Sequence, residues 1–120
     1  MNIAQQTQTA GHHQCAPLDA RALRIENRHY AGSGGISREN RSSGFVPAFL
    51  DSSTGQTYRS RYSDGRPAPM HILEGLPSHL LIECSDSLSA KACVVSGFLR
   101  CGDFFTRAEA AAAVQECQPA

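Results

Sequence analysis

The chain has 120 residues and a mass of 12.9 kDa, with 41% hydrophobic residues, 18% charged residues and eight aromatic rings, the make-up of one globular domain with a single core. Eleven basic residues balance eleven acidic ones, so no global charge draws it to nucleic acid or to anionic lipid. No apolar run reaches the length of about 18 residues that a membrane-spanning helix needs, so no membrane partner is expected.

Met1–Thr7 lacks the basic and apolar regions of a secretory leader, and a cytoplasmic location is therefore expected. Cys15, Cys84, Cys93, Cys101 and Cys117 are widely and unevenly spaced, with no C-x-x-C pair. They read as small buried apolar side chains of a reducing compartment rather than as zinc ligands or a redox motif.

Residues 1–16, rich in Gln, Thr, His and Ala without periodicity, read as a disordered tail, and 17–120 as a single α+β domain. Pro17–Arg28 is ambiguous. Ala, Leu, Arg and Glu favour a helix, but Leu23 and Ile25 alternate with Arg24 and Glu26, and that alternation predicts a strand over 21–29. The glycines of Ala31–Gly35 relax the backbone into a loop, and 36–43 reads as one or two helical turns that Gly44 terminates.

From Gly44 the chain reads as β. Phe45–Leu50 is a strand, and Pro47, which has no N–H to donate, marks it as an edge strand or a bulge. The turn residues Asp51–Gly55 lead back into a second strand over 56–62, with Tyr58, Ser60 and Tyr62 on one side and Thr57, Arg59 and Arg61 on the other. A connector follows over 63–69. Residues 70–74 are apolar but too short to assign, 79–84 is a strand and 85–89 a loop.

Ala92–Arg100 is a further strand, with Cys93, Val95, Gly97 and Leu99 as its core side. Thr106–Glu109 matches the S/T-x-x-E capping box, and Ala110, Ala113, Val114 and Cys117 follow at helical spacing, which predicts a helix over 107–117. The expected architecture is α+β: an antiparallel sheet of about four to six strands with the C-terminal helix packed on one face.

Ten of the eleven basic residues are arginines, and eight of them fall within 21–66 against four acids, a local charge of +4. A guanidinium offers a planar fork for oxyanions and a face for stacking. Tyr58 and Tyr62 beside Arg59 and Arg61 suit single-stranded nucleic acid, whereas solvated surface arginines are the plain alternative. The connector from Arg61 to His71 joins arginines, Tyr62 and His71 on a backbone stiffened by Pro67 and Pro69, as interface anchors are, unless it is an ordinary surface loop.

Other candidates carry less. Gly32–Gly35 before a helical turn offers amides to a phosphate, but its spacing matches neither the P-loop nor the dinucleotide fingerprint. Gly11-His12-His13-Gln14-Cys15 holds three metal-ligating side chains without a fourth, so no metal is expected. A Cys84, Cys93 or Cys101 nucleophile would need His29, His71 or His79 within hydrogen-bond reach, and no Gly-x-Ser-x-Gly elbow or His-Glu-x-x-His is present.

The segments Gly34–Arg41, Gly44–Asp51 and Asp64–His71, with Val95–Phe98 and Phe105–Arg107, resemble small bacterial proteins of uncharacterised activity. That resemblance implies a soluble bacterial protein and nothing about mechanism. The resulting expectation is a non-enzymatic, regulatory or accessory module without a cofactor. It contacts a protein partner through Arg38, Arg41, Arg59, Arg61, Tyr62, Arg66 and His71. The alternative is a nucleic-acid binder using the Arg/Tyr hairpin.

Overall fold

The structure is a computed structural model that describes residues 18–84 and 87–117. Its elements in chain order are β1 (Leu18–Asp19), α1 (Ala20–Tyr30), α2 (Ser37–Asn40), a 3-10 turn (Arg41–Ser43), β2 (Val46–Asp51) and β3 (Gln56–Arg59). A second 3-10 turn (Ser78–Leu80), β4 (Leu81–Cys84), β5 (Ser87–Ala90), β6 (Val94–Arg100), β7 (Asp103–Thr106) and α3 (Arg107–Cys117) follow. The protein is α+β: antiparallel sheets of three strands, ordered β1-β5-β4, and of four, ordered β3-β2-β6-β7, with α3 packed against β6 and β7. The expected tail over 1–16 and the Gly11–Cys15 cluster lie outside the described residues.

Residues 21–29 are not a strand but the body of α1. Asp19 caps the helix, its carboxylate accepting the Ala22 N–H at 2.8 Å. Leu23 is buried, while Ala22, Glu26 and Tyr30 at helical spacing are half-buried, and Ile25 remains 49% exposed. The alternation that favours a strand thus has only one of its apolar positions in the core. Residues 87–89 of the segment read as loop over 85–89 belong instead to β5, paired on one side with β1 and on the other with β4.

Pro47 does not mark an edge, because β2 is internal and pairs with both β3 and β6. The carbonyl of Pro47 accepts the Ser60 N–H at 2.9 Å, just beyond the last residue of β3. The carbonyl of Ser60, which an N–H at position 47 would have served, is taken instead by the Ala68 N–H at 3.0 Å. A proline at the final rung therefore leaves no acceptor unpaired.

The core side of β6 is also opposite to expectation. Val94, Ser96 and Phe98 face inward, while Val95 is 37% exposed and Cys93 and Leu99 are half-buried. The register places Phe49 across from Ser96, and Phe98 lies fully buried. One cluster joins Phe49 and Val94 to Leu23 of α1 and to Leu73, Leu76 and Leu80. A second seats α3, through Ala110 and Val114, on Phe45 and Phe98. Each fully buried phenylalanine contributes roughly 1.5–3 kcal/mol of transfer free energy.

Helix α3 begins as its capping box predicts. The Thr106 hydroxyl accepts the Glu109 N–H at 3.1 Å, and the Glu109 carboxylate accepts the Thr106 N–H at 2.9 Å. On the reverse face of β6, a Cβ at Gly97 would overlap the Phe105 carbonyl oxygen and the Phe104 ring. Gly97→Ala is therefore expected to lose about 1–3 kcal/mol, read as a lowered thermal midpoint. An unchanged midpoint would mean that the Phe104 ring and the β7 backbone give way freely.

Candidate functional site

Four side chains from distant parts of the chain meet beneath α1. Arg107, the first residue of α3, is 3% exposed. Its Nε donates to Glu26 Oε1 at 3.1 Å and to Ser96 Oγ at 3.3 Å, its Nη1 to the Gly35 carbonyl at 3.1 Å, and its Nη2 to His71 Nδ1 at 3.1 Å. The Ser96 hydroxyl donates to the same Glu26 oxygen. A guanidinium only donates, so His71 Nδ1 is the accepting nitrogen and Nε2 carries the hydrogen given to the Gly97 carbonyl at 2.6 Å. The imidazole stands edge-on to Phe49 and Phe98, with centroids 5.4 and 5.1 Å away.

Burial, and after it the neighbouring Arg107 charge, push the His71 pKa down to about 3. The ring is neutral at physiological pH, and its lone pair is already engaged by Arg107. A base so weak and so occupied is poorly matched to proton abstraction near neutrality. Burial also pulls the Arg107 pKa below its ordinary value, an effect the Glu26 carboxylate opposes. The four groups therefore act as an internal clamp, joining α1, β6, α3 and the segment around residue 71.

The glycine loop is likewise engaged from within. The Gly32 and Gly34 N–H groups donate to the two Glu39 carboxylate oxygens at 2.7 and 3.0 Å. Those amides, Gly34 first, hold the Glu39 carboxyl below its ordinary pKa. The donors that a phosphate would need are already spent on a carboxylate of the same chain.

Around the clamp lie two clefts, of about 570 and 630 Å³, that share Asn27, Met70 and His71 in their walls. The first also carries Arg21 and Arg24 of α1 with Asp19 and Glu74, and ends at Ser87 and Leu88. The second carries Arg28, Arg38 and Arg41 with Ile36 and Pro69, and no carboxylate. Met70 stands between them, 54% exposed. Arg21, Arg24 and Arg28 follow i, i+3, i+7 spacing and form one stripe of α1, while Glu26, the only acid in the helix, serves Arg107.

Arg38, Arg41 and His71 thus share one cleft. Arg41 also donates to the Pro69 carbonyl at 3.3 Å and, with Arg59, lines a third concavity that includes Phe45 and Pro67. The other three expected residues are engaged with one another or with their own turn. Arg61 donates to the Gly65 carbonyl at 2.9 Å, and Arg66 pairs with Asp64 at 2.7 Å while its guanidinium covers the Tyr62 ring at 5.1 Å. Reading 21–29 as a strand hid the α1 stripe, because strand alternation places Arg24 and Arg28 beside Glu26.

Among the described residues no group of three or more His, Cys, Asp and Glu side chains is placed to hold a metal. Cys93 and Cys101 are free thiols, the first half-buried. Cys101 is exposed in a left-handed turn conformation at φ 54°, which departs from the buried, apolar role expected of it. Among the described residues no helix is long and apolar enough to cross a membrane. No known protein family, curated protein or solved structure matches this chain.

Proposed function

We propose that this chain is a non-catalytic interaction module of the bacterial cytoplasm, regulatory or accessory, that docks a protein partner through its arginine-bearing face. The observation that carries this reading is the set of five guanidiniums around the two clefts, of which the three in the second meet no carboxylate in its lining. Arg21, Arg24, Arg28, Arg38 and Arg41 line them. Yet the ion pairs among the described residues are Arg66 with Asp64 and Arg107 with Glu26. Exposed guanidiniums around an apolar floor are the chemistry of interface anchors. The free thiols of Cys93 and Cys101 fit a reducing compartment.

Nucleic acid is the second reading, and the +4 charge of residues 21–66 favours it. It would require a stacking platform, and the ring best placed for that, Tyr62, is covered by Arg66. A photo-crosslinking side chain at Ala31, on the rim of the second cleft, tests the choice in host extract. The expected result is a saturable protein adduct that survives nuclease and is missing when the same group replaces Thr57, an exposed residue of β3. An adduct abolished by nuclease, or none at all, overturns the proposal.

A further inference from the structure

The two clefts differ in charge but share walls, and this pairing specifies a partner more closely than a basic surface alone. Helix α1 forms one side of both, with Arg21 and Arg24 in the first, Arg28 in the second and Asn27 in each. Eleven helical residues extend about 16 Å, so the shared groove has the length of roughly five residues of extended chain. The opposite side is the segment at Met70 and His71.

The half next to α2 is the more strongly cationic, because Arg28, Arg38 and Arg41 line it without an acid. The half next to β5 is mixed, since Arg21 and Arg24 share it with Asp19 and Glu74. Asp19 is partly committed to capping α1 through its bond to Ala22. Glu74 is exposed. A uniform polyanion would meet that carboxylate at one end of the groove, whereas a segment with its acids gathered at the other end would not. Where the two clefts meet, the exposed Met70 side chain offers an apolar contact, and Pro69 extends it into the cationic half, a feature that a sugar-phosphate backbone does not match.

We infer that this groove takes an extended acidic peptide of a protein partner, with its carboxylates on Arg28, Arg38 and Arg41 and an apolar side chain against Met70. This assignment rests on the protein-partner reading above and adds the place and the chemistry of contact. Arg28, Arg38 and Arg41 form no ion pair among the described residues, Arg38 standing only in the field of Glu39, so charge-assisted pairs form without breaking internal ones. The apolar side chain supplies the part of the affinity that salt does not screen.

Fluorescence anisotropy with a short labelled Glu/Leu peptide, its Glu residues gathered at one end and its Leu residues at the other and made in both chain orders, tests this directly, with an all-Glu peptide and single-stranded oligothymidine as parallel probes. Binding of the Glu/Leu peptide is expected to weaken about tenfold for each of Arg28→Ala and Arg38→Ala. Met70→Ser should weaken the Glu/Leu peptide while leaving the all-Glu peptide unchanged. Arg59→Ala/Arg61→Ala should leave both unchanged.

If the hairpin pair abolishes binding and the α1 and α2 variants do not, the groove assignment fails and the protein-partner reading stands. Equal binding of the all-Glu peptide overturns the apolar contact. Oligothymidine binding that collapses between about 50 and 200 mM salt, with no peptide binding, overturns both in favour of nucleic acid. Binding of no probe removes this groove as the docking site.

Discussion

Arg107→Ala is expected to destabilise the protein by about 3–5 kcal/mol, the range observed when one partner of a buried charged network is deleted. The guanidinium is 3% exposed and satisfies acceptors on Glu26, Ser96, His71 and Gly35 at once. Truncation removes the donor to His71 Nδ1 and the Gly35 carbonyl, leaves the half-exposed Glu26 carboxylate with only the Ser96 hydroxyl, and opens space beside Phe98, over whose ring the guanidinium lies at 5.9 Å. With no tryptophan in the chain, far-ultraviolet circular dichroism in a urea titration is the suitable readout. Arg107→Met retains most of the volume and separates packing from charge. If the loss comes from the unpaired Glu26 carboxylate, Glu26→Gln in the Arg107→Met background restores part of it. A loss below about 1 kcal/mol for Arg107→Ala would show that water re-solvates the site freely.

Acid should destabilise the protein well before its carboxylates titrate. In the folded state His71 takes up a proton only near pH 3, against an ordinary value of 6.5 once unfolded. Between those limits the unfolded chain binds one proton more than the native one, so stability rises with pH and falls as pH is lowered. The slope for one such group approaches about 1.4 kcal/mol per pH unit. Glu39 acts in the same sense lower down. Its depressed folded value means that stability present above its ordinary 4.5 is lost as pH falls through the depressed one. Urea titrations from about pH 6 to 5 therefore isolate His71. His71→Gln retains a donor and an acceptor without titrating in this range, and its profile there should be flatter than that of the wild type. Parallel profiles would show that the imidazole is protonated or exposed in the native state.

Features governed by neighbouring residues were legible in the chain. The reciprocal bonds of Thr106 and Glu109 are written in four consecutive residues, and helix 107–117 follows from them. The turn at 51–55 and the left-handed Gly44 are equally local. Pro47 shows where a local rule stops. A proline is excluded from a strand interior only if its missing N–H leaves an acceptor unpaired, and whether Ala68 supplies that acceptor is a tertiary matter. The same limit applies to the site. Arg38, Arg41 and His71 were identifiable by residue type, but the stripe of Arg21, Arg24 and Arg28 depended on the helix that local alternation argued against. Nothing short-range connects positions 26, 71, 96 and 107, because each side chain is ordinary in its own neighbourhood and acquires its role from the others.

The distance along the chain between Glu26 and Arg107 also bears on synthesis. The two are separated by 81 residues, and α1 is made near the start of the domain while its cationic partner is made near the end. At roughly 5–20 residues per second, a ribosome takes about 4–16 s to travel from one to the other. For most of that interval α1 lacks the β6 serine and Leu23 lacks the Val94 side of its core, and for all of it Glu26 lacks the α3 arginine. The native fold is consequently completed only once the α3 segment has emerged from the ribosome, and until then Leu23 and Glu26 of α1 lack the neighbours that engage them in the folded protein.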